Sequence, residues 1–239
     1  LFYVRFVLAA LWFLGSSAVG LLFSLLRYGD PSNNRRFSRL CSRGTLFFLG
    51  WKVQVAHSER LYDNQPCVYV ANHQHNVDLF NYGDMYPPRT VVIGKRQLAK
   101  IPIFGLMFGA LGNILLDREQ RVRAMSQMSQ VAERIKKDRI SVWIFPEGHR
   151  NTRGGLLPFK KGAFFLAKEA GVPLVPIVCA DIRPMLDIPR RFVRSGTVHM
   201  EVLEPIETEA VPMERIGELV KQTEQRMLES LQRLNALRD

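Results

Sequence analysis

The run Phe6 to Leu26 holds no charged residue and is bracketed by Arg5 and Arg27. No other feature restricts the fold as strongly. An apolar stretch of about 20 residues is long enough to cross bilayer hydrocarbon as a helix. A secretory leader has a shorter apolar heart, about 7–15 residues, and ends at a small-x-small cleavage site. No convincing site of that kind follows here, so the run is expected to remain as an anchor. Beyond Pro31, the span Asn33 to Leu49 predicts a second helix. Arg35, Arg39 and Arg43 recur along it every fourth residue, and Phe37, Leu40, Phe47 and Phe48 add apolar surface. Mixed basic and apolar groups suit a helix lying among lipid headgroups. The alternative is a buried apolar helix followed by a solvated basic one. Clustered arginines at 27–43 favour the cytoplasmic face of a membrane.

Charge points the same way. The chain of 239 residues has a formal net charge of +11. Its partner is therefore expected to be anionic: nucleic acid, an acidic membrane or a phosphorylated substrate. No recognisable nucleic-acid motif occurs. Hydrophobic content of 47% is ample for a core. Cys41, Cys67 and Cys179 show no paired spacing, which fits a reducing compartment. Cys67 and Cys179 lie in apolar runs and read as core residues rather than nucleophiles.

From Lys52 onward, strand-like and helix-like segments alternate. Strands are predicted at 52–56, 67–71, 90–93, 113–116, 141–145, 174–178 and 198–203. Helices are predicted at 77–83, 96–111, 120–137, 160–170 and 214–238. That alternation predicts an α/β fold, a mixed sheet flanked by helices, preceded by a two-helix membrane-anchoring motif. The expected division is an anchor over residues 1–49 and a catalytic domain over 50–239. Residues 183–195, rich in arginine and containing proline, read as a surface loop. The final helix is highly charged and reads as solvated or in contact with a membrane.

Two residues suggest chemistry. His73 and Asp78 lie in Asn72-His73-Gln74-His75-Asn76-Val77-Asp78, directly after the apolar stretch Cys67 to Ala71. Imidazole can take a proton at neutral pH, and a carboxylate can hold its tautomer. Five steps of about 100° leave the two side chains about 140° apart on a helix. They meet only if the chain turns, so a turn opening into a helix is expected. The bland alternative is a loop histidine followed by a helix-capping aspartate.

Three further blocks follow in order: Gly112-Asn113-Ile114-Leu115-Leu116-Asp117-Arg118, Phe145-Pro146-Glu147-Gly148-His149-Arg150 and Val172-Pro173-Leu174-Val175-Pro176-Ile177. With the His73 block, they make the chain resemble the glycerolipid acyltransferase family, and within it the bacterial 1-acyl-glycerol-3-phosphate (lysophosphatidic acid) acyltransferases. The likeness extends to the hydrophobic N-terminal stretch and to Gly154-Gly155-Leu156-Leu157-Pro158-Phe159-Lys160. It implies transfer of an acyl group from acyl-CoA or acyl carrier protein to the 2-hydroxyl of lysophosphatidic acid. It implies His73 as base, Asp78 as its orienting carboxylate, and Lys95, Arg118 and Arg150 as phosphate ligands. Glu147 and Gly148 match the third block and imply support of the acceptor site, Glu147 by binding acceptor oxygens or holding the arginines in place. It also implies an anchor embedded in one leaflet at the cytoplasmic face of the cell membrane. His149 departs from the pattern, which places threonine or serine there.

The acceptor hydroxyl attacks the thioester directly, so neither an enzyme nucleophile nor a cofactor is required. Accordingly, no Gly-x-Ser-x-Gly elbow occurs. The apolar segment Leu98 to Phe108 is expected to line an acyl channel, dip into the membrane or form an ordinary core helix. Two rivals remain. One is a metal-dependent hydrolase using His73, His75 and Asp78. Against it, Asp78 falls one residue late for the familiar His-x-His-x-Asp-His run and the final histidine is missing, so no metal is expected. The other is a non-enzymatic basic protein tethered to a membrane. It leaves the ordered blocks unexplained.

Overall fold

In the computed structural model, residues 1–100, 104–117 and 121–237 are described. In chain order the elements are α1 (Phe2–Leu26), α2 (Ser32–Leu49), β1 (Trp51–Ala56), α3 (Arg60–Asp63), β2 (Val68–Ala71), α4 (Asp78–Asn81) and β3 (Thr90–Lys95). A 3-10 turn (Arg96–Lys100) leads to α5 (Phe104–Ala110), β4 (Ile114–Leu116), α6 (Arg121–Asp138), β5 (Ser141–Ile144) and α7 (Gly162–Ala170). Then come β6 (Leu174–Cys179), β7 (Leu186–Asp187), β8 (Phe192–Val193), β9 (Gly196–Val202) and α8 (Ile216–Ala236).

Seven strands form one sheet in the order β1-β9-β6-β2-β5-β3-β4. Neighbours are parallel except β6 and β9, which pair antiparallel, so β1 and β9 oppose the other five. The sheet is mixed, as the alternation predicted. Period-2 alternation divides β2 between two cores. Val68 and Val70 face α6, α7 and α8 through Ile135, Phe164, Ala167, Met227 and Leu231. Tyr69 and Ala71 face the other way, against Trp143, Tyr82 and the end of α2. Every residue of β2, β5 and β6 is buried, which explains their continuous apolar runs.

Several expectations change. The helix expected over 96–111 is a 3-10 turn followed by α5, with 101–103 outside the described residues. Gly105 packs so closely on Ala99 that a Cβ would lie 2.4 Å from its carbonyl oxygen. The expected helix 77–83 shrinks to one turn, α4. The expected loop 183–195 carries the β7–β8 hairpin. The last helix is neither solvated nor membrane-bound over its whole surface. Ile216, Leu219, Val220, Met227, Leu231 and Leu234 bury one stripe of it in the core. Its charges occupy the opposite face, a division that net charge conceals and helical period reveals.

The first two helices pack on each other and on the α/β unit. Gly50, at φ 76, ends α2 by a left-handed turn. Ser42 donates to the Phe80 carbonyl and Asn34 to the Thr90 carbonyl, fixing α2 to the sheet side. Arg39 and Arg43 both reach Asp84 at 3.0 Å, so these two arginines turn toward the protein. Both ends of α1 are tied in as well: Arg5 donates to the Leu49 carbonyl, and Gly29 N–H to the Ala110 carbonyl.

Candidate active site

β2, β5 and β3 are adjacent and parallel, so their carboxyl ends open on one edge of the sheet. Ligand sites of open α/β sheets form at such edges. His73 leaves β2, the Glu147–Arg150 block leaves β5, and Lys95 ends β3. All three come together although 77 residues separate His73 from Arg150 in sequence.

The chain wraps around Asp78. One of its oxygens, Oδ2, accepts the backbone N–H groups of Gln74 (2.6 Å) and His75 (2.9 Å) and faces His73 Nδ1 at 2.7 Å. A carboxylate accepts and does not donate, so Nδ1–H is the donor, and in the neutral ring the lone pair is then on Nε2. The His73 ring stacks on Phe145, centroids 4.1 Å apart and planes 17° from parallel. A turn, not a helix, brings the pair together, as the 140° separation required.

Glu147 supports this turn from behind. Its Oε1 accepts the His73 N–H at 2.7 Å and its Oε2 accepts the Leu157 N–H at 2.8 Å. Burial pushes its carboxyl up to about 7, opposed by those two backbone donors and reinforced by the charges of Asp78 and Glu224. The His73 carbonyl in turn accepts Asn151 N–H at 2.7 Å. Gly148 has φ 73, a backbone conformation that favours glycine.

His73, Lys95 and Arg150 line one cavity of about 280 Å³. Leu98, Phe104 and Phe108 supply its apolar wall. The cavity thus joins an imidazole, two cations and a hydrocarbon surface. Gly148 and His149 line it too. Arg118 lies outside the described residues.

Sequence reasoning passed over several parts. Asn72 and Gln74, flanking His73, bind β6: Asn72 exchanges bonds with the Cys179 N–H and carbonyl, and Gln74 donates to the Cys179 and Ala180 carbonyls. Tyr82 donates to Asn72, and burial raises its phenol well above the usual range, so it remains a donor. The signal for Asn72 and Gln74 was present in an amide at each side of the histidine directly after an apolar strand. Phe145 and Asn151 had none, because both act through space. His75 accepts the Val77 N–H. Burial holds its imidazole below the ordinary value; Asp78 opposes this, and Arg150 and His73 add to it. Among the described residues no three His, Cys, Asp or Glu side chains converge as metal ligands would. Cys67 is buried and its thiol is pushed up to about 12, far from a nucleophile's range.

Comparison with known proteins agrees with this geometry. A family model described as Acyltransferase matches residues 52–180. The 1-acyl-sn-glycerol-3-phosphate acyltransferase of Haemophilus influenzae is 39% identical over 201 residues, covering 84% of this chain and 82% of that protein. The Escherichia coli protein of the same name is 32% identical over 219 residues, covering 92% and 88%. The human 1-acyl-sn-glycerol-3-phosphate acyltransferase beta is 36% identical over 220 residues, covering 92% and 79%. The crystal structure of the 1-acyl-sn-glycerophosphate (LPA) acyltransferase PlsC from Thermotoga maritima superposes with a TM-score of 0.76, covering all of both chains at 24% identity, and shares the fold. A dyad held at a sheet edge, the family match over residues 52–180 and relatives spanning most of the chain lead to one conclusion: this is an enzyme of the acyltransferase family, akin to its 1-acyl-sn-glycerol-3-phosphate acyltransferases.

Proposed function

We propose that the enzyme acylates the 2-hydroxyl of lysophosphatidic acid, making phosphatidic acid, with a thioester of coenzyme A or acyl carrier protein as donor. The observation that carries this reading is the dyad's position: His73 lines a cavity that is also lined by the cations Lys95 and Arg150 and by the apolar side chains of Leu98, Phe104 and Phe108. Nε2 of His73 takes the proton as the acceptor oxygen attacks the thioester carbonyl. Asp78 stabilises the resulting imidazolium. Collapse of the tetrahedral intermediate forms the ester and breaks the carbon–sulfur bond. The departing thiolate then takes the proton from His73, restoring the neutral ring. Arg150 and Lys95, with Arg118, hold the phosphate, and Leu98, Phe104 and Phe108 receive hydrocarbon. The chemistry calls for no resident cofactor or metal.

The same reading sets the enzyme in a membrane. α1 is long and apolar enough to cross one. Both of its ends contact the rest of the protein, so it lies along the α/β unit rather than projecting from it. That supports embedding in one leaflet. The arginines near the α1–α2 turn, Arg27 and Arg36 among them, favour the cytoplasmic face of the cell membrane.

The test is acyl transfer in detergent micelles with lysophosphatidic acid and with a monoacylglycerol lacking phosphate. Arg150→Lys keeps the charge but loses the bidentate fork. It should lower kcat/KM for the phosphorylated acceptor and have less effect on the other. Equal losses on both would remove Arg150 from phosphate recognition. No transfer to either by the native enzyme would sink the reaction itself.

A further inference from the structure

The β7–β8 hairpin is built unlike the rest of the surface. Its base is anchored: Leu186 and Val193 pair across the two strands and are buried in the core that also holds Trp143. Its tip, Ile188-Pro189-Arg190-Arg191-Phe192, is exposed throughout. The tip is also ordered. Arg191 N–H donates to the Ile188 carbonyl, Arg190 N–H donates to the Asp187 carboxylate, and Arg191 sits at φ 53. Ile188 and Phe192 are thus presented to the outside on a fixed turn. Scattered exposed apolar residues are ordinary, and these two would need no comment if they stood alone.

They do not stand alone. The Arg191 guanidinium lies over the Tyr3 ring, 5.7 Å from its centroid, which joins the tip to the first turn of α1. Phe2 and Met185 both pack on the core that includes Leu186. The outward face of α1 begins there, with Tyr3, Val4, Phe6 and Val7 all exposed. Residues 183–197 hold four arginines against one aspartate, Asp187. Arg183 is engaged by Asp181 and Arg190 lies 3.5 Å from Asp187, while Arg191, over Tyr3, and Arg194 are both exposed. Apolar groups ringed by arginine, continuous with an apolar helix face, match the composition of an element seated at a lipid interface. Charge selects acidic headgroups as the counterpart.

We infer that the β7–β8 hairpin is a second membrane-contact element, seating Ile188 and Phe192 among acidic lipid headgroups beside α1. The inference rests on the reading of α1 as membrane-embedded. An acidic carrier protein would satisfy the arginines, but the continuity with α1's apolar face favours lipid. The contact has a consequence for catalysis. Gln74, next to His73, accepts the Ile182 N–H, and the Ile182 carbonyl accepts the Met185 N–H at the hairpin's base. A hairpin seated in the headgroups therefore holds the catalytic turn at a set height above the lipid surface.

The test uses the full chain. All three native cysteines are buried, so a cysteine introduced by Phe192→Cys accepts an environment-sensitive fluorophore selectively. A second variant, Leu22→Cys, places the same probe on the exposed face of α1. Each is mixed with vesicles of phosphatidylcholine alone and of equimolar phosphatidylcholine and phosphatidylglycerol. The expected result is a blue shift of both probes on the acidic vesicles. Adding Arg191→Ser and Arg194→Ser should diminish the shift at 192 and leave that at 22 intact. If the probe at 22 enters lipid while that at 192 stays in water, the hairpin inference fails and the anchor survives. If neither shifts, the anchor reading fails and takes the inference with it. A probe at 192 that ignores vesicles but responds to acyl carrier protein overturns lipid as the partner.

Discussion

The α/β unit and α1 obey opposite rules of burial. In the α/β unit the largest side chains are inside: Trp143, Tyr69, Phe164 and Leu166 are fully buried. In α1 the large residues are outside, with Leu22, Phe23 and Leu26 exposed at 66%, 69% and 83%. Its buried positions are Ala9, Ser16, Ser17, Gly20 and Ser24. The serines satisfy themselves on their own helix, Ser16 and Ser17 donating to the Phe13 carbonyl and Ser24 to that of Leu21. Water drives large apolar groups together in the first case. In hydrocarbon that drive vanishes, and helices meet through small residues that let them approach closely. With α1 read as membrane-embedded, as proposed, one chain carries two packing codes, and the sheet edge that bears His73 belongs to the first.

Four measurements would sharpen or break that contrast. The largest effect concerns chemistry. His73→Ala should reduce turnover by roughly 10²–10⁴-fold in a protein that still folds, with some loss of melting temperature because the buried Asp78 carboxylate loses its imidazole partner. Near-normal turnover by the folded variant would end the dyad assignment. His75→Ala should cost far less.

Next comes a pair. Trp143→Ala removes a fully buried ring and should destabilise by about 3–5 kcal/mol. Phe23→Ala in detergent should stay within about 0.5 kcal/mol and instead weaken partition into vesicles. Equal losses of stability in both would mean that α1 is buried as the sheet is, and the contrast would collapse.

Gly20→Val probes the small-residue seam. A Cβ at Gly20 would lie 2.3 Å from Phe37 Cδ2, and Phe37 is itself buried. Overpacking there should cost about 1–3 kcal/mol, read by denaturation in micelles. A neutral result would show that α1 and α2 can part freely.

The last effect is electrostatic and is spread over several pH units. Burial raises the Glu147 carboxyl from an ordinary value of 4.5 to about 7. The folded protein therefore holds that proton more tightly than the unfolded chain. Stability from this group is greatest below pH 4.5 and is lost as pH rises toward 7. The slope is at most one proton, about 1.4 kcal/mol per pH unit. Glu147→Gln should flatten the stability profile in that window and also slow turnover, because an amide cannot accept both backbone N–H groups. An identical profile in the variant would place the titration elsewhere.

Much of the site was legible because its parts lie in short blocks at strand ends. His73, Asp78, Glu147, Gly148 and Arg150 could each be singled out by type and place. Their joint geometry could not. Glu147 reads in sequence as a group that faces substrate or the arginines, yet both its oxygens are taken by backbone donors, one of them His73's own. Similarly, Arg39 and Arg43 read as headgroup ligands but converge on Asp84, 41 residues or more away. The buried stripe of the final helix went unread because net charge hides a pattern that only the helical period exposes.

The sequence by itself determined what is local: the uncharged run that became α1, the alternation of strands and helices, and the need for a turn between His73 and Asp78. These follow from periodicity, chain geometry and the cost of placing charge in hydrocarbon. Tertiary structure alone decided which strand ends share an edge, since order β2-β5-β3 depends on pairings between residues dozens of positions apart. It alone decided that Phe145 would stack on His73, that Glu147 would hold the His73 turn from behind, and that a hairpin would stand beside the first turn of α1. Such contacts form between groups distant in sequence, where packing of the whole chain, not local pattern, sets the distance.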